Sequence, residues 1–521
     1  MSFSGKEIYS HKIKTAIQVS SLIGDRPRTK KVIMCHGTFD VVHPGHVRHL
    51  LYAKTKADVL IASLTADAHI KKGNMRPYVP EELRAINLAA LEMVDYVLID
   101  ENSTPLENIE LIKPDYFAKG YEYSAGQIHP KTKEEISIIE SYGGEIIFTP
   151  GDIVYSSSAL LDLSPPTIAI EKLLTLMEAE SISFDTLRDA VRSLSGIRVH
   201  VVGDTIVDSY THCSMAGGMT KTPTMSVRFE EKVDYVGGAG IVAKHLAAAG
   251  ADVTFTTVLG QDEYGDFVQY DIGSAGVVCN AILDNTRPTT NKNAIVVQNY
   301  RLLKVDTVDN RSISGKVLAD LQHQISSVPC DAVVFSDFRH GVFNRDTISL
   351  LTAAIPANVF KVADSQVASR WGNILEFQNF DLITPNEREA RFALGDQDSV
   401  IRPLALELFE KSKCKTLILK CGDRGTITYR SKAKDDLRAF FSIESITKHL
   451  VDAVGAGDAL LAYSTLSLFS TGNPVISSIL GNVAAGLECE QDGNVPISSG
   501  LVLERIDRLE DEATYNAAIT T

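Results

Sequence analysis

No stretch of this 521-residue sequence is apolar for long enough to cross a bilayer, so no membrane span is expected. No CxxC pair occurs either. The seven cysteines are odd in number and scattered, which argues against a disulfide framework or a zinc knuckle and suits a reducing cytoplasm. Lysine and arginine, 51 together, are outweighed by 66 acidic residues and form no long basic stripe. Nucleic acid is therefore not an expected partner. The opening stretch MSFSGKEIYSHKIK lacks the apolar core of a secretory signal, so a cytoplasmic location is expected. Short-period repeats and low-complexity tracts are missing as well.

What is present is the composition of a globular protein, 44% hydrophobic and 22% charged, with a net charge of −15. The length exceeds one ordinary core, and two or three domains are expected. An acidic protein that binds anions must do so with local amides, histidines, lysines and magnesium rather than with its overall field.

From Lys31 to about Leu163, short β-rich runs alternate with helical stretches. Val32–Cys35, Asp58–Leu64, Asp95–Ile99, Asp115–Ala118 and Glu145–Phe148 read as strands; His46–Thr55, Pro80–Met93 and Lys131–Tyr142 read as helices. Such alternation predicts a parallel sheet covered on both faces, with ligands at the carboxyl ends of the strands. Residues 1–30 read as an arm. A boundary falls at Ser164–Thr167, where paired prolines stop a helix. Two amphipathic helices fill 164–195, and a second βα pattern opens at Arg198, so that 196–521 reads as a second α/β domain.

Two stretches carry chemistry. In the first, the Val32–Cys35 run ends in His36-Gly37-Thr38-Phe39-Asp40, and His43-Pro44-Gly45-His46 opens a helix. Spacing of three puts both imidazoles on one side of a helical turn. Nucleotidyl transfer suits this arrangement. A phosphate oxygen attacks the α-phosphorus of a nucleoside triphosphate, and the protein stabilises charge there and on departing pyrophosphate. A metal site remains the alternative, since His49 continues the spacing. In the second stretch, Asp452-Ala-Val-Gly-Ala-Gly-Asp458, Gly455, Ala456 and Gly457 keep the backbone bare at a helix start. Asp458 follows, placed to take a proton from an attacking hydroxyl. Alone, such an aspartate is also an ordinary partner of the helix dipole.

GTFDVVHPGH resembles the signature of the cytidylyltransferase-like nucleotidyltransferases, over residues 31–163. Within them it is most similar to the transferase half of the bifunctional heptose-phosphate kinase/adenylyltransferases of lipopolysaccharide precursor synthesis. The resemblance implies a Rossmann-like domain in which Thr38, Phe39, His43 and His46 hold the triphosphate. Lys72, Arg76 and Lys119 would face phosphates, and Ser156, Ser157 and Ser158 would start a late helix over the nucleotide. The sequence after Gly120 departs from the glycine-rich loop of the heptose enzymes, so a different acceptor is open.

GAGD is joined by Gly203-Asp204, Asp208, Gly237-Gly238-Ala239-Gly240, Gly260 to Gly265, and Thr384-Pro-Asn386-Glu-Arg-Glu389. This ordered set resembles the ribokinase-like sugar kinases of the PfkB family over residues 196–505. That resemblance implies an α/β sandwich with a small β lid over the sugar. Asp458 would be the base and Gly455–Gly457 the anion hole. Asp208, Gly237 and Gly238 would bind sugar, Asn482 and Gly486 would border adenine, and Asn386 with Glu389 would support Mg²⁺ partly through water. Asn386 could equally cap the following helix. Two departures stand out: Ile241 replaces a sugar-binding Asn, and Asp364-Ser365-Gln366 replaces an Asp-Pro-Lys stretch.

The implied enzyme is bifunctional. ATP and Mg²⁺ serve the kinase, and ATP or CTP serves as nucleotidyl donor. A sugar phosphate is the small-molecule partner and a homo-oligomer is expected. The transferase precedes the kinase here, opposite to the usual heptose enzyme. The alternative is a transferase acting on a polyol phosphate such as glycerol phosphate, fused to a non-catalytic kinase-like scaffold.

Overall fold

Apolar runs with few interruptions, such as VIMC at 32–35, become central parallel strands buried on both faces. A computed structural model describes residues 8–70, 77–120, 130–149, 169–216, 225–298, 300–366, 373–430, 439–491 and 493–519. The chain divides into two units, one ending at Thr175 and the other beginning at Leu176.

The first unit holds β1 (Val32–Gly37), β2 (Val59–Thr65), β3 (Tyr96–Asp100), β4 (Tyr116–Gly120) and β5 (Glu145–Thr149). All pair in parallel in the order β3-β2-β1-β4-β5. The order reverses between β1 and β4, which opens a crevice beyond their carboxyl ends. Helices Pro44–Lys54 and Glu81–Ala89 contribute Leu50, Ala53, Ala85, Leu88 and Ala89 to one core layer; Ile109, Ile112 and Ile139 belong to another. The expected arm is integral to this unit. Thr15 closes a capping box on the helix Ala16–Ile23, Lys14 N–H donates to Val97 O at 2.9 Å, and Val19 is fully buried.

The second unit is built on a nine-stranded sheet. Its strands are β6 (Arg198–Gly203), β9 (Asp252–Leu259), β10 (Val278–Leu283), β13 (Ala332–Asp337), β14 (Phe360–Ser365), β15 (Leu382–Ile383), β16 (Thr416–Lys420), β17 (Thr426–Tyr429) and β18 (Phe440–Ile443). The order is β10-β9-β6-β13-β14-β15-β16-β17-β18, parallel up to β16 and antiparallel beyond. A separate four-stranded sheet, β12-β11-β7-β8, forms the lid from β7 (Thr205–Met215), β8 (Val227–Gly238), β11 (Asn291–Val297) and β12 (Tyr300–Thr307). The helices Ala456–Thr471 and Pro474–Cys489 are buried over most of their length and pack on each other. An N-terminal nucleotidyltransferase-like α/β unit followed by a ribokinase-like α/β unit with a β lid is the architecture the sequence leads one to expect. Among the described residues, no helix is long and apolar enough to cross a membrane. All seven cysteines are free.

Candidate active sites

The first site sits at the carboxyl end of β1. His43 is the N-cap of the helix Pro44–Lys54, and its Nδ1 accepts the Gly45 N–H at 3.1 Å. Pro44 fits this first turn because its missing N–H would have no helical partner there. The His43 and His46 rings stack at 3.9 Å, so the spacing of three does bring them together. Burial lowers the affinity of both for protons. His46 falls to about 4, chiefly by burial and then through His43 and His49. Among the described residues its buried Nδ1 has no hydrogen bond of good geometry, and the Val41 backbone beside the ring opposes the fall. His49, by contrast, is tied to Thr149 Oγ1 at 2.8 Å.

Phe39 takes a positive φ of 48° and is 4% exposed, its ring 5.2 Å from that of His46. Its ring therefore packs behind His46. Thr38 presents its carbonyl to Arg84, and Lys119, at the end of β4, is paired with Glu135. Lys72, Arg76, Ser156, Ser157 and Ser158 lie outside the described residues. Sequence reasoning passed over Arg84. Its fully buried guanidinium donates to Val79 O and Thr65 O at 2.9 Å, to Thr38 O, and to Asp67 Oδ1 at 2.5 Å, fastening the loop after β1. The available signal was an arginine on the apolar face of EELRAINLA.

The second site lies where β14, β15 and β16 end. Gly455 caps the helix Ala456–Thr471 with φ +88°, and a Cβ there would stand 2.7 Å from Glu488 Oε1 and 3.0 Å from Asn494 Oδ1. Only glycine fits that corner without strain. Asp458 follows in the first helical turn, 8% exposed, and its Oδ1 has no hydrogen-bond partner among the described residues. Burial raises its pKa to about 8, with Asp364, Asp208 and Glu389 adding and Lys420 opposing. Asp364 accepts from Thr384 Oγ1 and Lys420 Nζ, both at 2.9 Å. An ammonium therefore stands beside Asp364 although position 366 is Gln.

Asp208 lies on β7 of the lid, opposite Lys292 on β11 and Tyr235 on β8. Burial raises its pKa while Lys292 and Lys304 oppose. Gly237 leaves room for it, since a Cβ there would meet Asp208 Oδ2 at 2.1 Å. Gly238 has φ +61° and lets β8 turn into the helix Ala239–Ala248 above the Asp204 carbonyl. Ile241 is 1% exposed and belongs to the core.

Asn386 and Glu389 form a reciprocal capping box. Glu389 N–H donates to Asn386 Oδ1 at 2.9 Å, and Asn386 N and Nδ2 donate back to the carboxylate at 2.7 and 2.6 Å. The capping alternative is thus realised, and it leaves Glu389 oxygens able to accept from the water shell of a hydrated cation. Asn482 Nδ2 is committed to Thr426 Oγ1 and Ser478 O at 2.8 Å each, so its amide nitrogen holds helix to sheet. Gly486 lies close under Thr447 N, which a Cβ would reach at 3.3 Å. Asp204 is a further anchor: its carboxylate accepts the N–H groups of Phe338, His340 and Val342, fixing the loop after β13.

The pfkB family carbohydrate kinase model matches residues 198–498, and the cytidylyltransferase-like model matches residues 34–159. Similar curated proteins include the bifunctional protein HldE of Desulfatibacillum aliphaticivorans, 28% identical over 62% of this chain and 64% of its own length. The bifunctional protein HldE of Pelobacter propionicus is 40% identical over 26% of this chain and 27% of its own length. The chain thus spans less than two thirds of the relatives it matches. Among solved structures, phosphofructokinase-2 from Escherichia coli in complex with substrates and products is 18% identical. It covers 60% of this chain and all of its own, with a TM-score of 0.51, a likeness of fold.

Proposed function

The chain belongs to the pfkB family of carbohydrate kinases, with a cytidylyltransferase-like domain ahead of the kinase, and on that premise we propose a bifunctional sugar-activating enzyme. The kinase half phosphorylates a sugar or sugar phosphate with ATP. The transferase half couples a sugar 1-phosphate to ATP or CTP, yielding a nucleotide-linked, heptose-like sugar and pyrophosphate. Supply of a surface-polysaccharide precursor in the cytoplasm would join the two steps. The observation that carries this reading is Asp458, a buried carboxylate with one oxygen unpartnered among the described residues, at a helix start bared by glycine.

In the kinase step the acceptor hydroxyl attacks the γ-phosphorus while Asp458 takes its proton, and the bond from that phosphorus to the bridging oxygen breaks towards ADP. First-turn amides at Gly455–Gly457 receive phosphate oxygens, since such amides lack partners within the helix. Asp208 on the lid orients acceptor hydroxyls. Mg²⁺ would be held through water by Glu389 and would neutralise polyphosphate charge. In the transferase step the His43 and His46 pair stabilises charge on the triphosphate.

The scaffold alternative rests on Ile241 and Gln366. Ile241 lies in the core and Lys420 places an ammonium beside Asp364, which favours an active kinase. Exposed Phe229, Tyr300, Leu303 and Val305 on lid strands support the expected homo-oligomer. The test offers the full chain ATP and Mg²⁺ with a panel of sugars and sugar phosphates, following ADP, and sugar 1-phosphates or glycerol phosphate with ATP or CTP, following pyrophosphate. Release of both products supports the proposal. Pyrophosphate alone would leave the scaffold reading, and neither would refute both.

A further inference from the structure

Lys420 ends β16, and its ammonium is buried among carboxylates. Nζ donates to Asp364 Oδ1 at 2.9 Å, and the side chain is 14% exposed. Burial disfavours its charge, but Asp364, Glu389 and Asp458 outweigh that and hold the pKa above the ordinary lysine value. Nζ also lies 3.3 Å from where a Cβ on Gly457 would stand. The bare glycine thus leaves the ammonium against the first turn of the helix Ala456–Thr471, whose leading backbone amides have no partner within the helix. Asn386 bridges Lys420 through the backbone, so the element that carries the cation is fixed to the capping box at the end of β15.

A buried lysine–aspartate pair adds little net stability, because desolvation offsets attraction. Lysine has three N–H donors, and the pair with Asp364 uses one of them. We propose that Lys420 is a catalytic residue of the kinase half, held by Asp364 and donating to the γ-phosphoryl oxygens of ATP as they pass to the acceptor. This rests on the kinase reading above. As the acceptor oxygen bonds to the γ-phosphorus and the bond to the ADP oxygen breaks, the electron pair leaves on the β-phosphate and the hydroxyl proton goes to Asp458. Lys420 exchanges no proton. It supplies fixed positive charge where the amides alone give only dipoles, with Asp458 close enough to feel it.

Two measurements test this on the full chain. An ATP acyl phosphate, which acylates lysines lying against a bound polyphosphate, should label Lys420 in the wild type, and excess ATP with Mg²⁺ should protect it. Lys420→Met should lower kcat for ADP release about 100-fold with the acceptor KM changed less than about threefold, and Lys420→Arg should recover about a tenth of the activity or more. Absence of ATP-protected label at Lys420 overturns the assignment. Turnover of Lys420→Met within about threefold of wild type also overturns it while sparing the kinase reading. Protected label on a wild type that never releases ADP would keep the phosphate contact and refute the kinase reading instead.

Discussion

Neutral histidines at a proposed triphosphate site are a specific physical statement. Burial holds His43 below its ordinary value and His46 at about 4, so near pH 7 both rings donate one N–H and carry no charge. A bound polyphosphate favours the protonated ring, so nucleotide binding should take up protons at pH 6–7. Calorimetry in buffers of different ionisation enthalpy would measure that uptake, and His46→Ala should reduce it. The same substitution should slow nucleotidyl transfer roughly 100-fold or more, the cost of one well-aimed donor. Asp458 works in the opposite direction. A carboxyl raised to about 8 is protonated and idle as a base at low pH, so kinase kcat/KM should climb with pH towards about 8. A flat profile across pH 6–8 would contradict its role as base.

Elements place these side chains, and two junctions are sensitive. Gly455→Ala forces a Cβ into left-handed backbone and against Glu488, so the kinase helix start should shift; a loss of at least about 1 kcal/mol in urea unfolding, with ADP release impaired, is expected. Arg84→Met leaves Thr38 O, Thr65 O and Val79 O without their donor. It should cost about 3 kcal/mol, seen as early unfolding of the first unit.

The parallel strands were legible because strands buried on both faces are nearly continuous apolar runs, and the Val32–Cys35 run lies whole within β1. The lid was legible only through resemblance. β8 and β12 are largely exposed, so burial imposes no alternation on them. Asp458 and Gly455 could be read from spacing along one helix start. Lys420 and Arg84 could not, since each acts through partners tens of residues distant, Asp364 and Thr38. Asn386 and Glu389 were legible as a pair, but their chemistry was not, because one spacing serves both a capping box and a cation site.

At the scale of the whole molecule, buried titrating groups set a stability window. Burial raises Glu81 and Asp337 to about 7, and Asp458 and Glu488 to about 8. Each binds its proton more tightly folded than unfolded, so stability falls as pH rises through those values. Burial lowers His36, His46, His200 and His340 to about 4 and His245 to about 3, so below the ordinary histidine value the unfolded chain binds more protons and stability falls as pH drops. Above about 6.5 the histidines no longer act. The raised carboxylates remain, joined towards about pH 8.5 by Cys279, Cys330 and Cys421, whose thiols burial also raises. The melting temperature of the kinase unit should therefore fall by roughly 3 °C or more between pH 6.5 and 8.5. Scanning calorimetry at the two pH values checks this.

The central claim is that one chain carries two independent phosphate-handling sites. The most direct measurement follows ADP and pyrophosphate release in parallel for wild type, His46→Ala and Asp458→Asn, each confirmed folded. The account predicts a crossed result: His46→Ala loses pyrophosphate release and keeps ADP release, and Asp458→Asn does the reverse. Loss of both activities in either folded variant would contradict it.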